Sequence, residues 1–109
     1  MTKDELKTKL VGLSHRNDLT SRLDDFIDDA TAMINNRFVT DVALEAGSDT
    51  NIYTEKQPLL YIYGAAISLY EHTKQGDDAR YYKERWDEIA SLTFLTFTND
   101  VVINRVESA

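Results

Sequence analysis

Two histidines, four closely spaced aspartates and a run of tyrosines are the residues of this chain whose types could carry chemistry. His15 and His72 belong to no HExxH pattern and have no second histidine at helical spacing, so a zinc site is not assembled. Glu71 precedes His72 directly and does not face it across a helical turn, which leaves no acid-base pair. Asp24 with Asp28, and Asp25 with Asp29, lie one turn apart, a spacing able to chelate a divalent cation. A hard cation wants six or more oxygens, however, and one helix face supplies too few. A catalytic carboxylate pair needs a pocket that separates the two pKa values, and no such pocket is legible. The aspartates therefore read first as a solvated acidic face, then as a partner contact or repulsive wall, and last as a metal site. No serine has a GxSxG context, and glycines at 12, 47, 64 and 76 are too dispersed to cradle a phosphate. The stretch YIYGAAISLYEHTKQGDDARYY holds five of the six tyrosines. Base-stacking platforms sit beside basic grooves, whereas Asp77, Asp78, Glu84, Asp87 and Glu88 surround these rings, so they read as packing. The expectation is a protein without catalytic, cofactor-binding or metal-ligating residues, and not an enzyme.

The bulk numbers agree with a small folded protein. The chain has 109 residues, 42% hydrophobic and 28% charged, which suits one domain spanning 1–109. Its net charge of −7 is spread along the length. The richest basic window, Arg80, Lys83 and Arg85, is interleaved with acids, which disfavours tight binding to a phosphate backbone. An acidic wall would instead let DNA pass without sticking. Cysteine is absent, and no apolar run approaches the roughly 20 residues of a membrane span. The first ten residues also lack the apolar core of a secretion signal, so a soluble intracellular protein is expected.

The elements that must position these residues are helical. Thr2 and Glu5 form a capping box ahead of a short helix over about 3–12, with Leu6, Leu10 and Leu13 at helical spacing, and Gly12 with the polar SHRND ending it. Asn17 or Asp18 is expected to cap a second helix, in which Leu23, Phe26, Ile27, Ala30, Met33, Ile34 and Phe38 make one face. Residues 39–57 keep no period and carry a turn-rich centre, which marks a long contact loop. Pro58 opens a third helix whose broad apolar surface predicts a central position. Gly76 is expected to end it in the left-handed conformation and Asp77 to cap a fourth helix packing through Ala79, Tyr82, Trp86, Ile89 and Thr93. Gly64 reads as room for close helix approach. The Thr, Phe and Val-rich segment 94–109 reads as an extended or β-like arm, a frayed helix end among its alternatives, leaning on the bundle or a neighbouring subunit. The fold expected is thus an all-α antiparallel bundle of about four helices, with core 3–92.

Two segments together resemble the head-to-tail adaptor (connector, head completion) proteins of bacteriophages. LTSRLDDFIDDATAMINNRF is similar to their apolar-spaced opening helix ending in Ile-Asn-x-Arg, supplied by Ile34, Asn35, Asn36 and Arg37. PLLYIYGAAISLYEHTKQGDDARYYKERWDEI resembles their second signature through Leu60, Tyr63, Gly64, Ala65, Ala66, Leu69, Tyr70, Asp78, Ala79, Tyr82 and Trp86. The resemblance covers about 19–92. It implies a helical bundle without catalytic residue or cofactor, usually twelve copies in a ring. The ring sits in the virion, assembled in the host cytoplasm, below the portal protein and above the tail or stopper protein. DNA passes through its channel without specific binding, and no membrane is involved. The alternative class is a stand-alone helical module that captures a peptide between helices. The residues expected at contacts are Arg37 and Arg80 as ion-pairing partners, Tyr61 and Tyr81 as surface rings, Val42, Leu44, Ile52 and Tyr53 in the loop, and Phe94, Phe97, Val101, Val102 and Ile103 in the arm.

Overall fold

The computed structural model describes residues 1–108, with side chains as far as residue 93. Among these residues there are five α-helices and no strand: α1 (Lys3–Ser14), α2 (Leu23–Phe38), α3 (Ile52–Lys56), α4 (Leu59–His72) and α5 (Gly76–Ser108), with a 3-10 turn at Thr20–Arg22. Helix α4 is central and touches each of the other four. That follows from its composition, since Leu60, Tyr61, Ile62, Gly64, Ala65, Ala66, Ile67, Leu69 and Tyr70 are all buried, nearly its whole circumference.

Cross-helix contacts fix the directions. Phe26 packs on His72, Ala30 on Gly64 and Thr31 on Tyr61, so α2 and α4 are antiparallel. Tyr82 lies against Tyr70 and Tyr63, and Trp86 reaches Leu60, so α4 and α5 form the expected antiparallel hairpin. Two ends result. One holds the α4–α5 turn, joined to the α1–α2 connection where the Arg16 guanidinium donates to Gln75 at 3.4 Å. The other holds the end of α2, helix α3 and the start of α4, with the Phe38 and Tyr53 rings stacked at 5.2 Å.

In the first half of α4, Gly64 does what its position suggested. A Cβ placed on it would lie 3.1 Å from Ala30 Cβ and 3.3 Å from Trp86 Nε1. The missing methyl lets α2 and the indole approach α4 together, and Trp86 Nε1 donates to the Leu60 carbonyl at 2.9 Å. Ala79, Trp86, Ala90 and Thr93 are buried along α5, with Tyr82 and Ile89 half-buried, as the helical spacing predicts.

Several boundaries differ from the sequence expectation. The Thr2–Glu5 capping box is present, but Gly12 does not end α1, which runs to Ser14 and stops at His15 in the left-handed conformation, φ 55°. Neither Asn17 nor Asp18 caps α2: the Asp18 carboxylate is held bidentately by Arg16 at 2.9 Å, and a 3-10 turn leads into the helix instead. Between α4 and α5 the left-handed residue is Lys74, φ 60°, not Gly76. Gln75 N–H donates to the Tyr70 carbonyl and Lys74 N–H to that of Glu71, a Schellman arrangement completed before the glycine is reached. Gly76 thus begins α5, and Asp77 stands in its first turn and not at its cap.

The largest differences concern the two segments expected to be irregular. Residues 39–57 contain α3, whose N-terminus is capped by Asn51 receiving the N–H groups of Tyr53 and Thr54. The extended or β-like arm is also corrected, because the backbone of α5 is helical to Ser108. With neither proline nor glycine after Gly76, nothing in the backbone stops the helix, and strand propensity without a partner strand is a weak force.

Candidate interaction surface

The end of α2 is organised by Asn35. Its Oδ1 accepts from Val42 N–H at 2.9 Å and from Thr40 Oγ1 at 2.9 Å, while its Nδ2 donates to the Val42 carbonyl at 3.0 Å. This clamp folds residues 39–42 back on the helix. The Asn35 carbonyl receives Val39 N–H and Thr40 N–H, so Val39 occupies the left-handed position after the helix, φ 54° and ψ 55°. Glycine is the usual residue there, and a β-branched residue in this region is an outlier. Val39 is moreover 90% exposed.

Val39 has exposed apolar company. Ile52 is 49% exposed, Leu59 37% and Leu92 66%, and all three belong to elements that meet at this end of the bundle. Arg37 on α2 reaches one of them, α5, its Nη2 donating to Ser91 Oγ at 3.3 Å. Within one chain the Arg37 guanidinium thus meets a hydroxyl, whereas the expected partner is a carboxylate of the same or another subunit.

The other predicted contact residues divide sharply. Tyr61, expected at the surface, is fully buried; its hydroxyl accepts from Asn51 Nδ2 at 2.8 Å and shares a 3.1 Å hydrogen bond with Thr31. Leu44 and Tyr53 are each 3% exposed and belong to the core, and Val42 is half-buried. The loop thus turns much of its apolar content inward. Tyr81 is half exposed, set edge-on against Tyr82 at 5.0 Å with the Arg85 guanidinium 5.2 Å from its ring centre. Tyr63, Tyr82 and Tyr70 form a ladder along the hairpin, the last two stacked at 5.6 Å, and burial raises the Tyr70 and Tyr82 pKa values above the ordinary phenol value. Arg80 is exposed beside a notch between α4 and α5. Phe94, Phe97, Val101, Val102 and Ile103 lie outside the described side chains.

The acidic face has a partner that the sequence did not announce. Lys3 is buried, with its ammonium 3.3 Å from Asp28, 3.6 Å from Asp24 and 3.4 Å from the Glu45 carbonyl. Lys7 reaches Asp24 at 3.1 Å, and this hydrogen bond holds the Asp24 carboxyl below the ordinary carboxylate value. Ser68 donates to Asp29 from α4. Three of the four aspartates are therefore engaged in joining α2 to its neighbours. Among the described residues no group of three or more His, Cys, Asp or Glu is placed to hold a metal ion. None of their helices is long and apolar enough to cross a membrane.

No family model, curated protein or solved structure matches this chain. Its surface is consequently read from its own geometry: an apolar end built on Asn35 and Val39, a notch near the opposite end, and an acidic side braced by Lys3 and Lys7. Asn35 and Lys3 are the organising residues that sequence reasoning missed. Asn35 had a signal, an amide one turn before the helix end and followed by a turn segment, whereas a lysine in the first turn of a helix carries none.

Proposed function

We propose that the chain is a non-enzymatic structural subunit that assembles in several copies, as an adaptor ring between a phage portal and the tail or stopper, extending the DNA channel. The observation that carries this reading is the exposure of Val39, Ile52, Leu59 and Leu92, all on elements that meet at one end of the bundle. Single exposed apolar residues are ordinary, but four on converging elements, one of them a backbone outlier, suit a contact surface.

Two further features support it. The residues of the adaptor-like phrases have structural work in the fold: Ile34 is buried, Asn35 folds back the loop, and Leu60, Ala65, Ala66, Leu69, Ala79 and Trp86 form the α4–α5 hairpin core. The net charge of −7 also suits a channel past which DNA slides, because like charge leaves no counterion release to gain. The test is co-expression with the portal protein encoded in the same genome, followed by native mass measurement and electron microscopy. A ring of copies seated on the portal is expected; a chain that stays monomeric beside the portal overturns the reading.

A further inference from the structure

Val39 combines two unfavourable features. Its β-branched side chain is held in the left-handed region, and 90% of its surface meets solvent. Glycine or asparagine would ease the backbone, and any polar residue would ease the exposure. The Asn35 clamp nevertheless leaves this side chain exposed in a turn, with Arg37 two residues before it and Asp41 two residues after it also exposed.

A surface of matching shape and charge lies on the same protein. The notch between α4 and α5 has a volume of about 370 Å³ and is lined by Ile67, Glu71, Gly76, Ala79, Arg80 and Lys83. Ile67 and Ala79 in its lining are buried and apolar, whereas Glu71 on α4 and Arg80 with Lys83 on α5 are exposed and charged. The exposed charges flanking Val39 in sequence, Arg37 and Asp41, have counterparts of opposite sign in the notch lining, Glu71 and the pair Arg80 and Lys83. The two surfaces lie toward opposite ends of the bundle, so one copy cannot satisfy itself.

We infer that Val39 is the anchor of a head-to-tail contact between copies of this chain, seated in the neighbour's Ile67–Gly76–Ala79 notch with Arg37 facing Glu71 and Asp41 facing Arg80 and Lys83. Because the two patches differ, the contact is heterologous and propagates to a ring or a filament, depending on whether the rotation closes. It rests on the self-assembly in the proposed function and assigns the surfaces that make it.

The chain contains no cysteine, which makes paired cysteine substitution a direct test. Gly76 suits it, since a Cβ there meets nothing within 4 Å. Val39→Cys and Gly76→Cys are purified separately, checked for helical content and Trp86 emission, mixed at rising concentration and mildly oxidised. The mixed disulfide dimer is expected to exceed both same-variant dimers, and the double variant to give a ladder of covalent multimers. Asp41→Lys is expected to abolish the ladder, and Arg80→Glu with Lys83→Glu to restore it. Predominant Val39→Cys self-pairing, or no mixed product at any concentration, overturns the contact. Rings on a portal without the Val39–Gly76 crosslink would sink this contact and leave the adaptor reading standing. A ladder with no portal association would do the reverse.

Discussion

Replacing Gly64 by alanine tests the close approach on which the bundle is built. Alanine is favoured over glycine in a helix by about 1 kcal/mol, so an unobstructed site would be stabilised. At Gly64 the new methyl would stand 3.1 Å from Ala30 Cβ and 3.3 Å from Trp86 Nε1. Carbon atoms prefer roughly 3.5–4.0 Å, so α2 or the indole must retreat by about 0.5 Å. Neither yields cheaply, because Ala30 has no side chain to rotate and Trp86 is tied to the Leu60 carbonyl at 2.9 Å. Overpacking of this kind costs about 1–3 kcal/mol, and weakening the indole hydrogen bond adds about 1 kcal/mol. After the helix-propensity gain of about 1 kcal/mol, a net loss of about 1–3 kcal/mol is expected, a fall in Tm of roughly 4–13 °C for a domain of this size. Trp86 is the single tryptophan and is 5% exposed, so its emission reports unfolding in a denaturant titration. Ala30→Gly alone also destabilises, but the Gly64→Ala, Ala30→Gly pair should lose less than the sum of the two. A Gly64→Ala protein as stable as its parent, or strict additivity in the cycle, would refute the close-packing argument.

Other substitutions probe separate parts of the account. Gly12→Ala, at a helical site where a Cβ meets nothing within 4 Å, should stabilise by about 1 kcal/mol in the same titration. Tyr61→Phe strips a buried hydroxyl from Asn51 and Thr31 and should cost about 1–2 kcal/mol, loosening the α3 cap as seen by faster amide exchange at Tyr53 and Thr54. Asp24 has its pKa lowered in the folded chain, so its pairing with Lys7 and Lys3 contributes fully above the ordinary value of 3.8 and fades as pH falls through the folded value. Asp24→Asn should accordingly flatten that part of the acid limb of the stability profile, with only a modest effect at neutrality because the Asp24 carboxylate is largely exposed. Val39→Gly should raise the stability of the isolated chain by about 1 kcal/mol and weaken self-association measured by sedimentation.

The sequence was most legible where burial alone decides. The three-four rhythm of α2, the wide apolar girth of α4 and the packing face of α5 each follow from side chains that must leave water, and all three stand in the fold. Helix ends were less legible because more than one residue can supply the same cap. Lys74 took the left-handed place that Gly76 was expected to fill, and Arg16 captured the carboxylate of Asp18 that could have capped α2. The loop misled for a different reason. Its order comes from Asn35, Asp49 and Asn51 hydrogen-bonding nearby backbone, with Asp49 Oδ2 receiving Glu45 N–H and Ala46 N–H, and such local bonds leave no periodic trace. Tyr61 shows the same limit, since no pattern tells a tyrosine whose hydroxyl meets a buried amide from one whose hydroxyl meets water. Of the surface, the exposure of Tyr81 and Ile52 was foreseen, whereas the outlier Val39 depends on a backbone conformation that only the fold reveals.

The central claim is that this chain works as one of many identical subunits seated on a portal. The most direct measurement is native mass spectrometry of the chain with the portal protein from the same genome, with electron microscopy of the same sample. A complex in which several copies ring the portal's axis is expected, as is loss of that complex when Val39 and Leu59 are replaced by charged residues that leave the monomer folded. A chain that remains monomeric at every concentration, with the portal ring present and intact, would contradict it.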